Sequence, residues 1–155
     1  MKKTELAWAA GLIDGEGCIC LLKHPAHQFK RAVNDRFTLI LKVTMCCKKT
    51  VRRLHKMFGV GSCSSRFPKE GQRFSPYYTW WCNAVATKEV LDGIRPYLVT
   101  KAIEADVALA FLKLPLSPRG GRSGSRPVSK KLQKDRQRYF ERLRALKTRS
   151  KFRSA

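Results

Sequence analysis

Residues Ala9–Gly17 read AAGLIDGEG, an apolar stretch that ends in two acids, Asp14 and Glu16, set among glycines. Working backward, ELAWAAGLID is rich in good helix formers up to Gly11, and Thr4 stands where a helix cap is expected. Working forward, Gly15 and Gly17 are expected to stop that helix. Taken alone, the ending is most simply a glycine-capped terminus with two solvated acids. Carboxylates there nevertheless meet the unfavourable end of the helix dipole.

The rest of the chain sharpens that conflict. Its 155 residues suffice for one domain with a core, and 43% are apolar. Lys and Arg number 33 against 11 acids, a net charge of +22. Nucleic acid is the first partner such a balance implies, with a ribosome-like RNA binder or a solvated basic surface as the plainer readings. No apolar run of about 18 residues exists, which argues against a membrane. Acids beside a phosphate-binding site are repelled unless a cation stands between them. A divalent ion such as Mg²⁺, which takes carboxylate, carbonyl and water oxygens, resolves both conflicts.

The six cysteines do not redirect this reading. The start MKKTELAW lacks a secretory apolar region, so a reducing compartment and free thiols are expected. Cys18, Cys20, His24 and His27 are close in sequence, but their spacing does not fit the usual zinc patterns.

Along the chain, Cys18–Lys23 reads as a strand, followed by a loop with Pro25 and the turn pair Asn34-Asp35. From Arg36 to Thr44, Phe37, Leu39, Leu41 and Val43 alternate with Thr38, Ile40, Lys42 and Thr44, which predicts a strand with one buried face. Core spacing of Val51, Leu54, Met57 and Phe58 predicts a helix over Lys48–Phe58, stopped by Gly59. Two further strands are expected at Ser62–Phe67 and Tyr77–Val85, joined by the loop Pro68–Pro76. A helix capped by Thr87 should end before Pro96. Another, Lys101–Leu114, should be capped by Thr100. This order predicts an α+β fold, an antiparallel sheet with helices on one face.

The division expected is a core over residues 1–116, a Pro/Gly/Ser/Arg linker over 117–128, and a basic helix and tail over 129–155. The last segment places an amphipathic helix at Ser129–Lys147 and a disordered end, TRSKFRSA. Residues 117–155 carry 14 basic and 2 acidic side chains.

Ala9–Gly17 resembles the LAGLIDADG motif of the homing endonucleases, with Ala9 for the first Leu and Glu16 for the last Asp. The likeness to the single-motif, I-CreI-like group extends over roughly residues 5–115, through VTMCCKKTVRRL, the FGVG turn and IRPYLVTK. It implies an αββαββα core with a saddle-shaped antiparallel sheet, plus a C-terminal helix. It also implies a homodimer, with Ala7, Ala10, Gly11 and Asp14 at the interface of two motif helices, and Leu6, Trp8, Leu12 and Ile13 in the adjoining cores. Glu16 and the Gly15 carbonyl would hold Mg²⁺, with Mn²⁺ or Ca²⁺ able to occupy the site and Ca²⁺ not supporting cleavage. Lys101 aligns with an active-site lysine after Pro96, Tyr97 and Leu98. By the dipole argument alone, a lysine in a first helical turn has no local benefit.

The activity implied is metal-dependent cleavage of both strands of a long pseudo-palindromic DNA target, leaving short 3′ overhangs. The class implies an intracellular setting, organellar or in a bacterial or phage cytoplasm. Beyond the motif one position departs from the pattern: Met45 stands where related enzymes often carry a water-orienting glutamine; Lys49 falls where an arginine is often found. The alternative is a non-cleaving chain of the same fold, an intron maturase that binds RNA or a DNA-binding regulator.

A two-stranded ribbon fits the major groove. Alternation puts Arg36, Thr38, Ile40 and Lys42 on the face opposite Phe37 and Leu39. The same logic and the resemblance add Cys20, Leu22, His24, Gln28, Ser64, Arg66, Tyr77 and Thr79 as groove contacts. Lys48, Lys49, Arg52, Arg53 and the C-terminal helix are assigned to phosphates, which position without specifying. A ten-residue strand spans roughly 33 Å, about ten base pairs, so two subunits would read about 20 pairs.

Overall fold

The structure, a computed structural model, describes residues 1–30, 32–115 and 127–151. Most of the expected linker and the last four residues therefore lie outside the described residues. Five helices accompany four strands: α1 (Lys3–Glu16), β1 (Gly17–His24), β2 (Arg36–Met45), α2 (Lys48–Phe58), β3 (Ser62–Arg66), β4 (Tyr77–Cys82), α3 (Ala84–Ile94), α4 (Ala102–Leu112) and α5 (Lys130–Lys151). Single 3₁₀ turns occur at Ala26–Gln28 and Arg95–Tyr97. The strands form one sheet in the order β1-β2-β4-β3, with β4 antiparallel to both β2 and β3. The chain forms two compact units, Met1–Ile19 with Ile40–Ala105, and Cys20–Leu39 with Asp106–Ala155.

The first unit is built on the motif helix. α1 is capped at Lys2, two residues before the expected Thr4 cap, because the Glu5 carboxylate accepts the Lys2 N–H at 2.9 Å and ties Lys2 into the first turn. Ala9, Ala10 and Ile13 are fully buried. Gly17 is required by the fold: a Cβ there would come within 2.5 Å of the Ile13 carbonyl oxygen. Leu41 and Val43 of β2 face Cys82 and Trp80 of β4 across the ladder. All four are fully buried, as the alternation requires.

α2 runs over the span that its core spacing predicts. It is stopped by Gly59, whose φ of 67° is the left-handed conformation that favours glycine, and whose N–H donates to the His55 carbonyl. Phe58 stacks on Trp80, and the Trp80 indole N–H donates to the Val60 carbonyl at 2.9 Å. β4 stops at Cys82, three residues before the expected end. Asn83, not Thr87, caps α3: its side chain accepts the Ala86 N–H. Thr87 is instead fully buried and donates its hydroxyl to the Cys82 carbonyl. Val85, expected in the strand, lies in α3 and is 81% exposed.

The second unit packs α5 against the end of α4 and the outer parts of β1 and β2. Phe140 meets Phe37 and Tyr139 meets Phe111, both edge to face, and Leu143 is buried. The Arg136 guanidinium is nearly buried and donates to the Pro115 carbonyl at 2.7 Å. At the open end, Lys23 forms an ion pair with Asp35 at 3.0 Å and donates to Gln137 at 2.9 Å. α5 continues to Lys151, so the helix persists beyond the expected end at Lys147.

Candidate active site

The last turn of α1 carries Ile13, Asp14, Gly15 and Glu16, whose carbonyls have no intrahelical N–H ahead of them. The Ile13 carbonyl accepts the Gly17 N–H. The Asp14 carbonyl accepts the Lys101 ammonium. A positive charge at this helix end is favourable.

Lys101 does not lie in the first turn of α4, as its sequence position suggested. α4 starts at Ala102, and the Lys101 carbonyl accepts the Ala105 N–H, which makes Lys101 the capping residue. The local benefit missing from the sequence is therefore tertiary. The Asp14 carboxylate accepts the Val99 N–H at 2.7 Å and the Lys101 N–H at 2.8 Å. An acid at the C-terminus of α1 thus sits at the N-terminus of α4, where the dipole favours it. The dipole conflict at Asp14 is thus resolved within the chain, without a cation.

Glu16 is different. It is exposed and makes no hydrogen bond or ion pair among the described residues. With the Gly15 carbonyl it offers two oxygen ligands on the last helical turn, a donor set that suits Mg²⁺ or Ca²⁺. Among the described residues no three His, Cys, Asp or Glu side chains gather to hold a metal, Cys18, Cys20, His24 and His27 included. The remaining ligands of an ion at Glu16 must come from water, phosphate or a second chain.

The exposed face of α1 carries Ala7, Gly11 and Gly15 at intervals of four residues. A Cβ on Gly11 or Gly15 would meet nothing within 4 Å, so the chain's own packing does not require either glycine. Ala10, expected at the dimer interface with them, is fully buried in its own chain and cannot be part of that stripe.

The sheet has a second face, opposite the buried one. In the first unit the ladder sets Lys42 against Trp81 and Thr44 against Thr79, then Ser62, Ser64 and Arg66 against Trp81, Thr79 and Tyr77. The Thr44 and Thr79 hydroxyls share a hydrogen bond of 2.9 Å. Lys42, Ser64, Arg66, Tyr77 and Thr79 are therefore brought together as expected neighbours on one face. Trp81, 39% exposed among them, was missed, although extending the alternation of Tyr77 and Thr79 by two residues reaches it. Ile40 belongs to this face by alternation along β2. Along β1, Cys20, Leu22 and His24 alternate with buried Ile19 and Leu21, and in the second unit Arg36 and Thr38 alternate with Phe37 and buried Leu39.

Other candidates stand apart. Gln28 is exposed in the 3₁₀ turn and not on a strand. The Lys48 ammonium lies 5.7 Å from the centre of the Tyr78 ring, on the opposite side of β4 from Thr79. Lys49 is exposed in the first turn of α2. Arg53 is engaged within the chain, its guanidinium 4.4 Å from the Trp8 ring centre. Met45 pairs with Tyr78 and by alternation shares the face of Val43.

No family model and no curated protein matches the sequence. Solved structures do match in three dimensions. The homing endonuclease I-CvuI, in complex with its target in the presence of Ca, is 18% identical, with a TM-score of 0.68 over 92% of this chain and 82% of that one. The archaeal intron-encoded homing endonuclease I-Vdi141I, complexed with DNA, is 13% identical, with a TM-score of 0.56 over 72% and 69%. The group I intron-encoded homing endonuclease I-CeuI, complexed with DNA, is 16% identical, with a TM-score of 0.58 over 73% and 56%. The four-stranded sheet, the helix order and the acid-tipped α1 together give this chain the fold of the LAGLIDADG homing endonucleases.

Proposed function

We propose that this chain is a homodimeric, site-specific DNA endonuclease that hydrolyses phosphodiester bonds with Mg²⁺. The observation that carries the reading is Glu16, an exposed and unpartnered carboxylate at the tip of a helix whose neighbouring acid is already satisfied. Beside the phosphates that a protein of net charge +22 attracts, such a carboxylate is repelled unless a divalent cation sits against it.

Each part of the chain then has a task. The open sheet face lies along the major groove, with Lys42 and Arg66 donating to base edges or phosphates and Thr79 and Trp81 covering apolar edges. Glu16 and the Gly15 carbonyl hold the ion. When bound, the ion supplies Lewis-acid stabilisation of the phosphate and lowers the pKa of attacking water. Asp14 fixes the helix tip by anchoring it to α4. Lys101 donates one of its three ammonium protons to the Asp14 carbonyl, which leaves two for a phosphate oxygen whose charge grows during hydrolysis. One chain presents one such tip, so two strands need two chains, with Ala7, Gly11 and Gly15 allowing two α1 helices to approach closely.

The test is a supercoiled plasmid carrying the sequence made by joining the two flanks of the reading frame, incubated with Mg²⁺. Wild type should cut both strands with 3′ overhangs, and Glu16→Gln should bind that DNA without cutting it. Absence of cutting by wild type, or equal cutting by the variant, sinks the nuclease reading. The second reading, a non-cutting DNA regulator or RNA-binding maturase, is favoured by Met45, which brings no polar group to the end of β2. Retained site-specific binding without hydrolysis would select it.

A further inference from the structure

The C-terminal helix was assigned to the phosphates of the DNA that the sheet reads, but its docking geometry gives it a different place. α5 rests on Phe37 and Phe111 through Phe140 and Tyr139, with Leu143 and Arg136 buried. Phe37 lies on the side of β2 shared by Leu39, opposite Arg36 and Thr38. Within this unit α5 therefore covers the helical side of the sheet, and its outer surface points away from the strand face that carries Leu22, His24, Arg36 and Thr38. That outer surface holds Lys131, Lys134, Arg138 and Arg142, all exposed and at steps of three and four residues. None of the four makes a hydrogen bond or ion pair among the described residues. They form a row about 16 Å long at 1.5 Å per residue.

We infer that this row is a second nucleic-acid surface, which holds a separate stretch of double-stranded DNA through its phosphates. The complement is a polyanion, since α5 carries ten basic and two acidic residues. An anionic membrane is disfavoured because the apolar side of the helix is already docked. Single strands bind through stacking rings, and the described part of α5 has only Tyr139 and Phe140, both packed inward. Backbone contact to a duplex remains, without base selectivity. Within this unit the strand face and the row lie on opposite sides, so a chain that carries both can bridge two DNA segments. The inference does not require the chain to cut.

The experiment uses the full chain and a random-sequence DNA duplex immobilised on beads, with a second, labelled duplex added. Wild type should capture the second duplex. K131Q/K134Q/R138Q/R142Q should lose that capture and lower the slope of log K against log salt by roughly 3 to 4. The charge-preserving R138K/R142K should retain capture, and R36Q/K42Q, which weakens the sheet face, should leave the α5 contribution to the slope intact. Equal capture and slope for wild type and the folded quadruple variant would overturn the inference, as would preference of the row for an RNA stem-loop over duplex DNA. Loss of sequence-specific binding in R36Q/K42Q with the row intact separates this surface from the proposed target site.

Discussion

Asp14 and Lys101 hold each other by hydrogen bonds of opposite sense: the Asp14 carboxylate accepts the Lys101 N–H at 2.8 Å, and the Lys101 ammonium donates to the Asp14 carbonyl. The carboxylate serves as the N-terminal cap of a helix far along the chain, while the ammonium caps the helix to which Asp14 belongs. Each charge meets the helix end of complementary sign. The latch fixes the tip of α1, and with it the direction in which Glu16 projects.

Asp14→Asn should therefore destabilise the chain by about 2–3 kcal/mol, since one oxygen becomes a donor facing a backbone N–H. Asp14→Ala should cost less, about 1–2 kcal/mol, because water can enter beside the two freed N–H groups. Urea unfolding of both variants measures this. If Asp14→Asn is as stable as wild type, the latch carries no energy.

Lys101→Met separates the two roles of the ammonium. Losing a favourable charge at a helix end costs about 0.3–1 kcal/mol of stability. Losing a donor to a phosphate in the transition state costs on the order of 10²–10³ in cleavage rate. Comparison of the single-turnover rate with the unfolding free energy decides between them. A rate that falls no further than the folded fraction would leave Lys101 a structural role alone.

Gly11→Ala yields opposite signs in the two readings of α1. In an isolated chain a Cβ at this position meets nothing, and alanine favours the helix by about 0.8–1.0 kcal/mol. In a dimer with two α1 helices in close contact, the added methyl separates them. Analytical ultracentrifugation should show weaker self-association for Gly11→Ala and weaker still for Gly11→Leu. Unchanged association with raised stability would count against the dimer.

What the sequence made legible is what local pattern controls. The alternation of β2 and the core spacing of α2 reach the structure with nearly their own boundaries, because burial of one face decides both. Local pattern misled at Thr87, since capping chemistry at Asn83 ends β4 and pulls Thr87 into the core. The pairing of Asp14 with Val99 and Lys101 is long-range, so no periodicity announces it. That is also why the dipole argument alone treats Asp14 and Glu16 alike in AAGLIDGEG, and why the resemblance is needed to give them different tasks ahead of the tertiary contacts.

The cysteines should differ in reactivity. None of the six forms a disulfide. Burial pushes the Cys82 thiol up to about 12, and the residue is fully buried. Cys47 is exposed at the start of α2, and its thiol is held below the ordinary value chiefly by the Thr50 hydroxyl, which donates to Sγ at 3.1 Å. Alkylation of the native chain near pH 7.5, mapped by mass spectrometry, should modify Cys47 early and Cys82 only after unfolding. Thr50→Val should slow Cys47. Equal rates for Cys47 and Cys82 would contradict the packing around β4.

Asp35 sets an acid limit on the second unit. Its carboxyl is held below the ordinary value of 3.8, first by the Ala26 N–H and then by the Lys23 ammonium. A carboxylate with a depressed folded pKa binds fewer protons folded than unfolded at low pH. Its contribution is thus fully present above the unfolded value and is lost as pH falls through the folded one. Stability should decline below about pH 4, and Asp35→Asn should be less stable at neutral pH yet show a flatter decline on the acid side. Denaturant titrations between about pH 2 and pH 7 test this, with hydrogen exchange at Ala26 as the local readout. Parallel curves for wild type and variant would mean that Asp35 keeps the same proton affinity folded and unfolded, which the Ala26 and Lys23 contacts do not allow.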